Sequence, residues 1–373
     1  MKYTNLIYSL IIVSLAVNGQ SSTPAQGSSS PIRPAQGRQE QLERYLAGHH
    51  YSFTLEKGFD QALADTLQRR MTGYKLILQA EGGSHSLDIY TYLEGVWLKF
   101  LQQRFGMTHF VGESGPASAV LFNKYLDTGD STLLHYRSTF WDDLYHYNAS
   151  LPAARRLHYV GLDFDYPGYY FPALKVLLPG HNEPAAIHDA VQRIRDTPDT
   201  MRDCHFTIRF NKTLRGALIT HRQDFTTWLG DRYPDFERIV MNRSTCHDGR
   251  RNRNPKMAAR FFESHRAIGD SLYFGEFGEA HTVLNTNDLA AIIQRTPPFT
   301  GKVCVINLYC AHCTAYGEET SNWPLHKMEK DIQQYFLPLC HSGLTLFDLT
   351  EGGELTEAYR KIGQWLIIAK DQH

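Results

Sequence analysis

His85, Glu113, Asp163 and His281 each follow a short apolar run. YKLILQA leads into the turn Glu81-Gly82-Gly83-Ser84-His85, HFVG into Glu113, LHYVGL into Asp163, and SLYFGEF into Gly278-Glu279-Ala280-His281. A neutral imidazole is a general base near pH 7 and can take a proton from water. A carboxylate beside it orients the ring and stabilises the imidazolium. Arg253, in Asn252-Arg253-Asn254-Pro255-Lys256-Met257, offers fixed donors to a developing oxyanion. Together these residue types describe hydrolysis by an activated water. Two His with one or two carboxylates also suit a divalent transition metal, but the tight HxH or HExxH spacing of such sites is missing. Singly, each residue is equally well a helix cap or a solvated loop residue. Their shared position at strand ends is what points to one site.

Other chemistries lack their motifs. Gly112-Glu113-Ser114-Gly115-Pro116 has no final Gly for a nucleophile elbow. No phosphate-cradling GxxxxGKS/T loop occurs, and no GxGxxG follows the first strand. Lys plus Arg number 38 and Asp plus Glu 39, a net charge of −1. Such a balance supplies no global attraction to nucleic acid or an acidic membrane surface. With 42% apolar and 21% charged residues the composition is that of a globular protein. The expected partner is a small-molecule substrate, with no cofactor.

Residues so far apart in sequence converge only if the strands that carry them lie side by side. Residues 74–80, 109–112, 157–162, 271–277, 302–308 and 344–349 read as strands. Between them lie helices. Tyr90, Leu93, Trp97, Phe100 and Leu101 recur at three- and four-residue spacing, and Gly106 stops that helix. Residues 117–126 form a second helix and 355–369 a closing one. This alternation predicts an α/β fold with a mostly parallel central sheet flanked by helices. The polar stretch 167–255 breaks the rhythm and reads as a helical insertion, not a separate domain.

Lys2, the apolar residues 6–17 and the polar exit Asn18-Gly19-Gln20 make residues 1–20 a signal peptide. The apolar run is shorter than the roughly 20 residues of a membrane span. Residues 21–39, rich in Ser, Pro, Gln and Gly, read as a disordered linker, and 40–373 as a single domain. The destination is then the periplasm or the extracellular space, with no membrane span after signal removal. The six Cys, at 204, 246, 304, 310, 313 and 340, suit disulfides in that setting. Cys310-Ala311-His312-Cys313 reads as a structural disulfide ahead of a redox or zinc motif.

Six segments in order resemble the erythromycin esterase family. They are Gly83-Ser84-His85 before a helix ending in Phe105-Gly106; Phe110-Val111-Gly112-Glu113-Ser114-Gly115; and Asn123-Lys124-Tyr125-Leu126-Asp127-Thr128-Gly129-Asp130. Tyr147-Asn148 with Tyr159-Val160-Gly161-Leu162-Asp163 follows, then Arg253-Asn254-Pro255-Lys256-Met257-Ala258 and Ala280-His281-Thr282. The resemblance implies that His85 is the base that activates water, Glu113 its partner carboxylate, His281 a second site His and Arg253 a cleft Arg, without a metal. Glu81, Asp163 and Glu279 are expected to bind substrate or support these residues. The chain departs from the family pattern at Gly82, where the acid is shifted to Glu81, and at Gly278. The charged position of the following helix is not matched at Ile89 or Glu94. These departures leave two alternatives beside an exported hydrolase of ester or lactone bonds: a non-catalytic small-molecule-binding member, or a metal-dependent hydrolase.

Overall fold

The computed structural model describes residues 36–82, 88–134, 138–180, 182–242, 252–311, 314–315, 318–319, 328–341 and 343–370. Its strands are β1 (His50–Phe53), β2 (Leu76–Glu81), β3 (His109–Gly112), β4 (His158–Gly161), β5 (Tyr273–Gly278), β6 (Val303–Ala311), β7 (Thr314–Ala315), β8 (Glu318–Glu319), β9 (Gly343–Asp348) and β10 (Trp365–Lys370). Eight form one sheet in the order β1-β9-β10-β6-β2-β5-β3-β4, while β7 and β8 pair only with each other. Within the eight-stranded sheet only β9 runs against its neighbours, β1 and β10, and the other pairings are parallel. The expected α/β architecture with a mostly parallel sheet is therefore what the chain adopts.

The pleat sorts side chains to two cores. Ile77, Phe110, Phe274, Cys304 and Ile306 face one side with α3 (Asp88–Phe105), where Leu93, Trp97 and Leu101 meet them. Leu76, Leu78, Val111, Tyr273 and Val305 face the other, against Met257 and Phe261 of the 16-residue helix Arg253–Ile268. Successive residues of one strand thus go to opposite faces. Strands covered on both faces read as unbroken apolar runs, as the nine buried residues of β6 show.

That same property overturns the closing helix expected over 355–369. Only Glu357–Arg360 is helical there, and Trp365–Lys370 is β10, inserted between β9 and β6. Its WLIIA core is buried at every position, so it never shows the period that separates helix from strand. At the amino end, α1 (Gln36–Gly48) begins inside the segment read as linker, because Leu42 and Leu46 bury against the sheet-side core and carry the helix backward through good helix formers.

β4 is the outer strand, and its edge is closed by a side chain. Asn123, from α4 (Pro116–Thr128), donates to the Tyr159 carbonyl at 2.9 Å and accepts from the Tyr159 N–H at 2.7 Å. The amide stands in for a missing strand. After α5 (Thr139–Ala149) and β4, the chain enters the helical insertion. It runs through α6 (Pro167–Leu177), α7 (His188–Asp196), α8 (Cys204–Thr220), α9 (Arg222–Leu229) and α10 (Tyr233–Met241). Phe171, Leu174, Phe210, Leu214 and Phe236 from these helices share one core with Ala117 and Leu121 of α4. The helix Arg253–Ile268 is α11, and α12 (Leu289–Gln294) packs beside it.

Cys204 and Cys310 are each engaged in a disulfide, whereas Cys304 and Cys340 are buried free thiols. Among the described residues no helix is long and apolar enough to cross a membrane.

Candidate functional site

At the carboxyl ends of β2, β5 and β3, on the α3 face of the sheet, lies a cleft of about 460 Å³. Four carboxyl side chains line it, Glu81, Glu94, Glu113 and Glu276, opposite an aromatic wall of Phe140, Trp141, Tyr159 and Tyr166. The register explains the acidic side. Gln79 pairs with Glu276, Glu81 with Gly278, and Gly112 with Glu276 on the next strand. Glu113 leaves the sheet one residue later. Gly112 is needed for the aromatic side, since a Cβ there would lie 2.1 Å from the Tyr159 hydroxyl oxygen. Ser114 Oγ donates to that hydroxyl at 3.0 Å. Burial raises the Tyr159 phenol well above its ordinary value, so it keeps its proton.

Behind Glu113 the other expected residues converge. Asn252, in the left-handed region at φ 59°, starts α11 and turns Arg253 and Asn254 toward the strand ends. Arg253 Nε donates to Asp163 Oδ2 at 2.8 Å, and its Nη2 donates to both Asp163 Oδ2 and Glu113 Oε1. The second oxygen of Glu113 accepts the Gly278 N–H at 3.0 Å. His281 Nε2 lies 3.3 Å from Glu113 Oε1 and 3.3 Å from Arg253 Nη1. His281 Nδ1 meets Asn254 Oδ1, while Asn254 Nδ2 donates to Asp288 at 2.9 Å. The Asp288 bond assigns the amide, and the amide assigns the proton of His281 to Nδ1. In the neutral ring Nε2 then accepts from Arg253. A proton taken up at Nε2 is received beside Glu113.

Electrostatics follow this geometry. Burial would raise the Glu113 carboxyl, but the hydrogen bond and charge of the protonated His281 ring, then Arg253 and the Gly278 N–H, outweigh it and bring it down to about 2. Its carboxylates hold Arg253 above its ordinary value despite burial. Glu94 goes the other way: burial, then the Glu81 charge, pushes it up to about 8. Burial alone takes Glu279, 8% exposed, to about 9.

Glu113, Asp163, Arg253 and His281 are thus one cluster, with Glu81 in the adjoining cleft. Arg253 holds two carboxylates there and does not line the cleft itself. Glu279 is buried beyond β5, near enough to act on the Tyr90 phenol. His85 lies outside the described residues. Glu94, Glu276, Ser114 and Tyr159 were not singled out as site residues from the sequence. The signal for two of them was present: Glu94 sits on the apolar stripe of its helix between Tyr90 and Trp97, and Glu276 interrupts a buried strand. Among the described residues no group of three or more His, Cys, Asp or Glu is disposed to hold a metal ion.

The molecule is an α/β protein whose fold recurs in solved structures. A protein from Bacillus cereus superposes with a TM-score of 0.65 at 11% identity, covering 89% of this chain and 97% of that one. A mutant of erythromycin esterase EreC in its open conformation gives 0.56 at 10% identity, covering 86% and 97%. A succinoglycan biosynthesis protein gives 0.61 at 12% identity, covering 90% and 98%. At these identities the likeness is one of fold, and the fold is erythromycin esterase-like. No protein-family profile and no curated protein sequence matches the chain.

Proposed function

We propose that this protein is an exported hydrolase that opens an ester or lactone bond of a small or medium-sized molecule with a His-activated water. The observation that carries the reading is the ionised Glu113 at the cleft, held by Arg253, Gly278 and His281 from two other elements. In this reading His85 is the base. It belongs to the segment between Glu81 and Thr91, both of which line the cleft. Water adds to the acyl carbon as His85 takes its proton, and the Glu113 carboxylate stabilises the imidazolium. The Tyr159 hydroxyl, already accepting from Ser114, is placed to donate to the developing oxyanion. Export rests on residues 1–20 and accords with the disulfide-bonded Cys204 and Cys310.

A second reading, a binding protein without turnover, is favoured by one feature: no Lys or Arg is among the described residues lining the cleft. The deciding experiment is a panel of activated and alkyl esters and lactones, with and without chelator, on wild type and His85→Ala. Turnover lost in His85→Ala by roughly 10²- to 10⁴-fold supports the hydrolase. Wild-type turnover in His85→Ala rejects the base. Tight binding of panel compounds with no turnover selects the binding protein, and chelator-sensitive turnover selects a metal enzyme.

A further inference from the structure

Glu81 and Glu276 line one cleft from adjacent strands, and the Glu81 carboxyl is one of the groups that raise the proton affinity of Glu276. Two carboxylates are acceptors only, so side by side in a cleft they are stabilised by a proton on one of them. The sheet builds the pair. Gln79 and Glu81 project to the same face of β2 two residues apart, and parallel β5 places Glu276 opposite Gln79. Opposite Glu81 stands Gly278, which has no side chain to separate the two acids. Gln79 Nε2 donates to the Tyr90 carbonyl at 3.0 Å and to Glu276 Oε2. Oε2 is therefore an acceptor, and a proton on Glu276 belongs at its other oxygen.

Nothing cationic competes for that proton among the described lining residues. Glu94 faces the pair from α3, Glu113 from the end of β3 and Tyr159 from β4, with Tyr90 and Glu279 nearby. All are acidic or phenolic. Burial first, then the charges of Glu94 and Glu81, drive Glu276 well above the ordinary carboxyl value. Across the same cleft Glu113 is held ionised. Neighbouring carboxyls with opposed proton affinities are the arrangement that acid–base pairs use.

We propose that the Glu81–Glu276 pair keeps one proton at the cleft and is the general acid that delivers it to the leaving oxygen. The catalytic half of this inference rests on the hydrolase reading; the shared proton does not. Water adds its oxygen to the acyl carbon and gives a proton to His85. The acyl C–O bond then breaks, its electron pair passes to the leaving oxygen, and that oxygen takes the proton of the pair to become an alcohol. The imidazolium proton returns through solvent to the two carboxylates, and the site is reset.

Glu276→Gln keeps the size of the side chain and an acceptor for Gln79 but has no acid proton, and Glu81→Gln is the companion variant. Wild-type minus Glu276→Gln infrared difference spectra of the full chain at neutral pH, in which the protonated carboxyls of Glu94 and Glu279 are common to both proteins and cancel, should show one further protonated carboxyl band in wild type. Kinetics on an aryl and an alkyl ester of the same acid read the second half. The aryl ester has a good leaving group and should slow by no more than a few-fold. The alkyl ester needs the acid and should slow by roughly 10²- to 10⁴-fold in both variants. No such band in wild type overturns the shared proton. Equal losses on the two esters overturn the acid role even if the band is present. If wild type hydrolyses no ester, the hydrolase reading and the acid role fall together, and the band alone decides the shared proton.

Discussion

Glu113 Oε1 lies 3.3 Å from His281 Nε2, and the same oxygen accepts from Arg253. The carboxylate that steadies the base in the proposed reaction is therefore held in place from both sides. On any ester that turns over, Glu113→Gln and His281→Asn should each slow the reaction by roughly 10²- to 10⁴-fold. Because His281 acts through Glu113, holding the carboxylate that steadies the base, the double variant should fall well short of the product of the singles. Steady-state kcat/KM of the four proteins checks this, and full multiplicativity would uncouple the pair.

Arg253 is the counter-ion of both Glu113 and Asp163, and Asp163 is 1% exposed. Arg253→Met leaves two acids facing each other without a cation. We expect a loss of about 3–5 kcal/mol in urea unfolding at neutral pH. Adding Asp163→Asn should recover part of it. A midpoint unchanged in Arg253→Met would show that the fork contributes nothing net.

Stability should respond to pH with opposite signs at two carboxyls. Glu113 is held near 2 against an ordinary 4.5, so its contribution is present above the ordinary value and is lost as pH falls toward 2. Glu279 is raised from 4.5 to about 9, so the fold is penalised progressively as pH rises from 4.5 toward 9. Glu279→Gln removes that penalty. Its Tm should exceed wild type at pH 8 and match it at pH 5; an equal shift at both would mean that packing, not charge, set the difference.

Tyr159→Phe removes the hydroxyl that Ser114 orients while keeping the ring's edge-on contacts with Trp141 and Phe122. As an oxyanion donor its loss should lower kcat by roughly 10²- to 10³-fold with little change in KM. A rise in KM at unchanged kcat would make it a ground-state binding contact instead.

Much of the fold was legible locally. HFVG is β3 residue for residue, the three- and four-residue stripe from Tyr90 is α3, and Gly106 stops it at φ 67°. These depend on side-chain alternation and backbone sterics, which act between near neighbours. Of the four polar exits, Glu113, Asp163 and His281 meet around Arg253, and His85 lies outside the described residues.

Strand order was not legible. β10 lies inside the sheet, between β9 and β6, and its run, apolar on both sides, satisfies a buried strand and a buried helix equally, so only the tertiary pairing chooses. The proton-sharing acids were hidden more deeply. A Glu inside SLYFGEF reads locally as an interruption; it becomes the partner of Glu81 only when β5 pairs with β2 and sets Gly278 beside that residue. The sequence by itself determined which residues end the strands and which faces are apolar. Tertiary pairing decided which carboxyls share a proton and which are held ionised, because a carboxyl's proton affinity depends on burial and on charges that only the folded chain brings within reach.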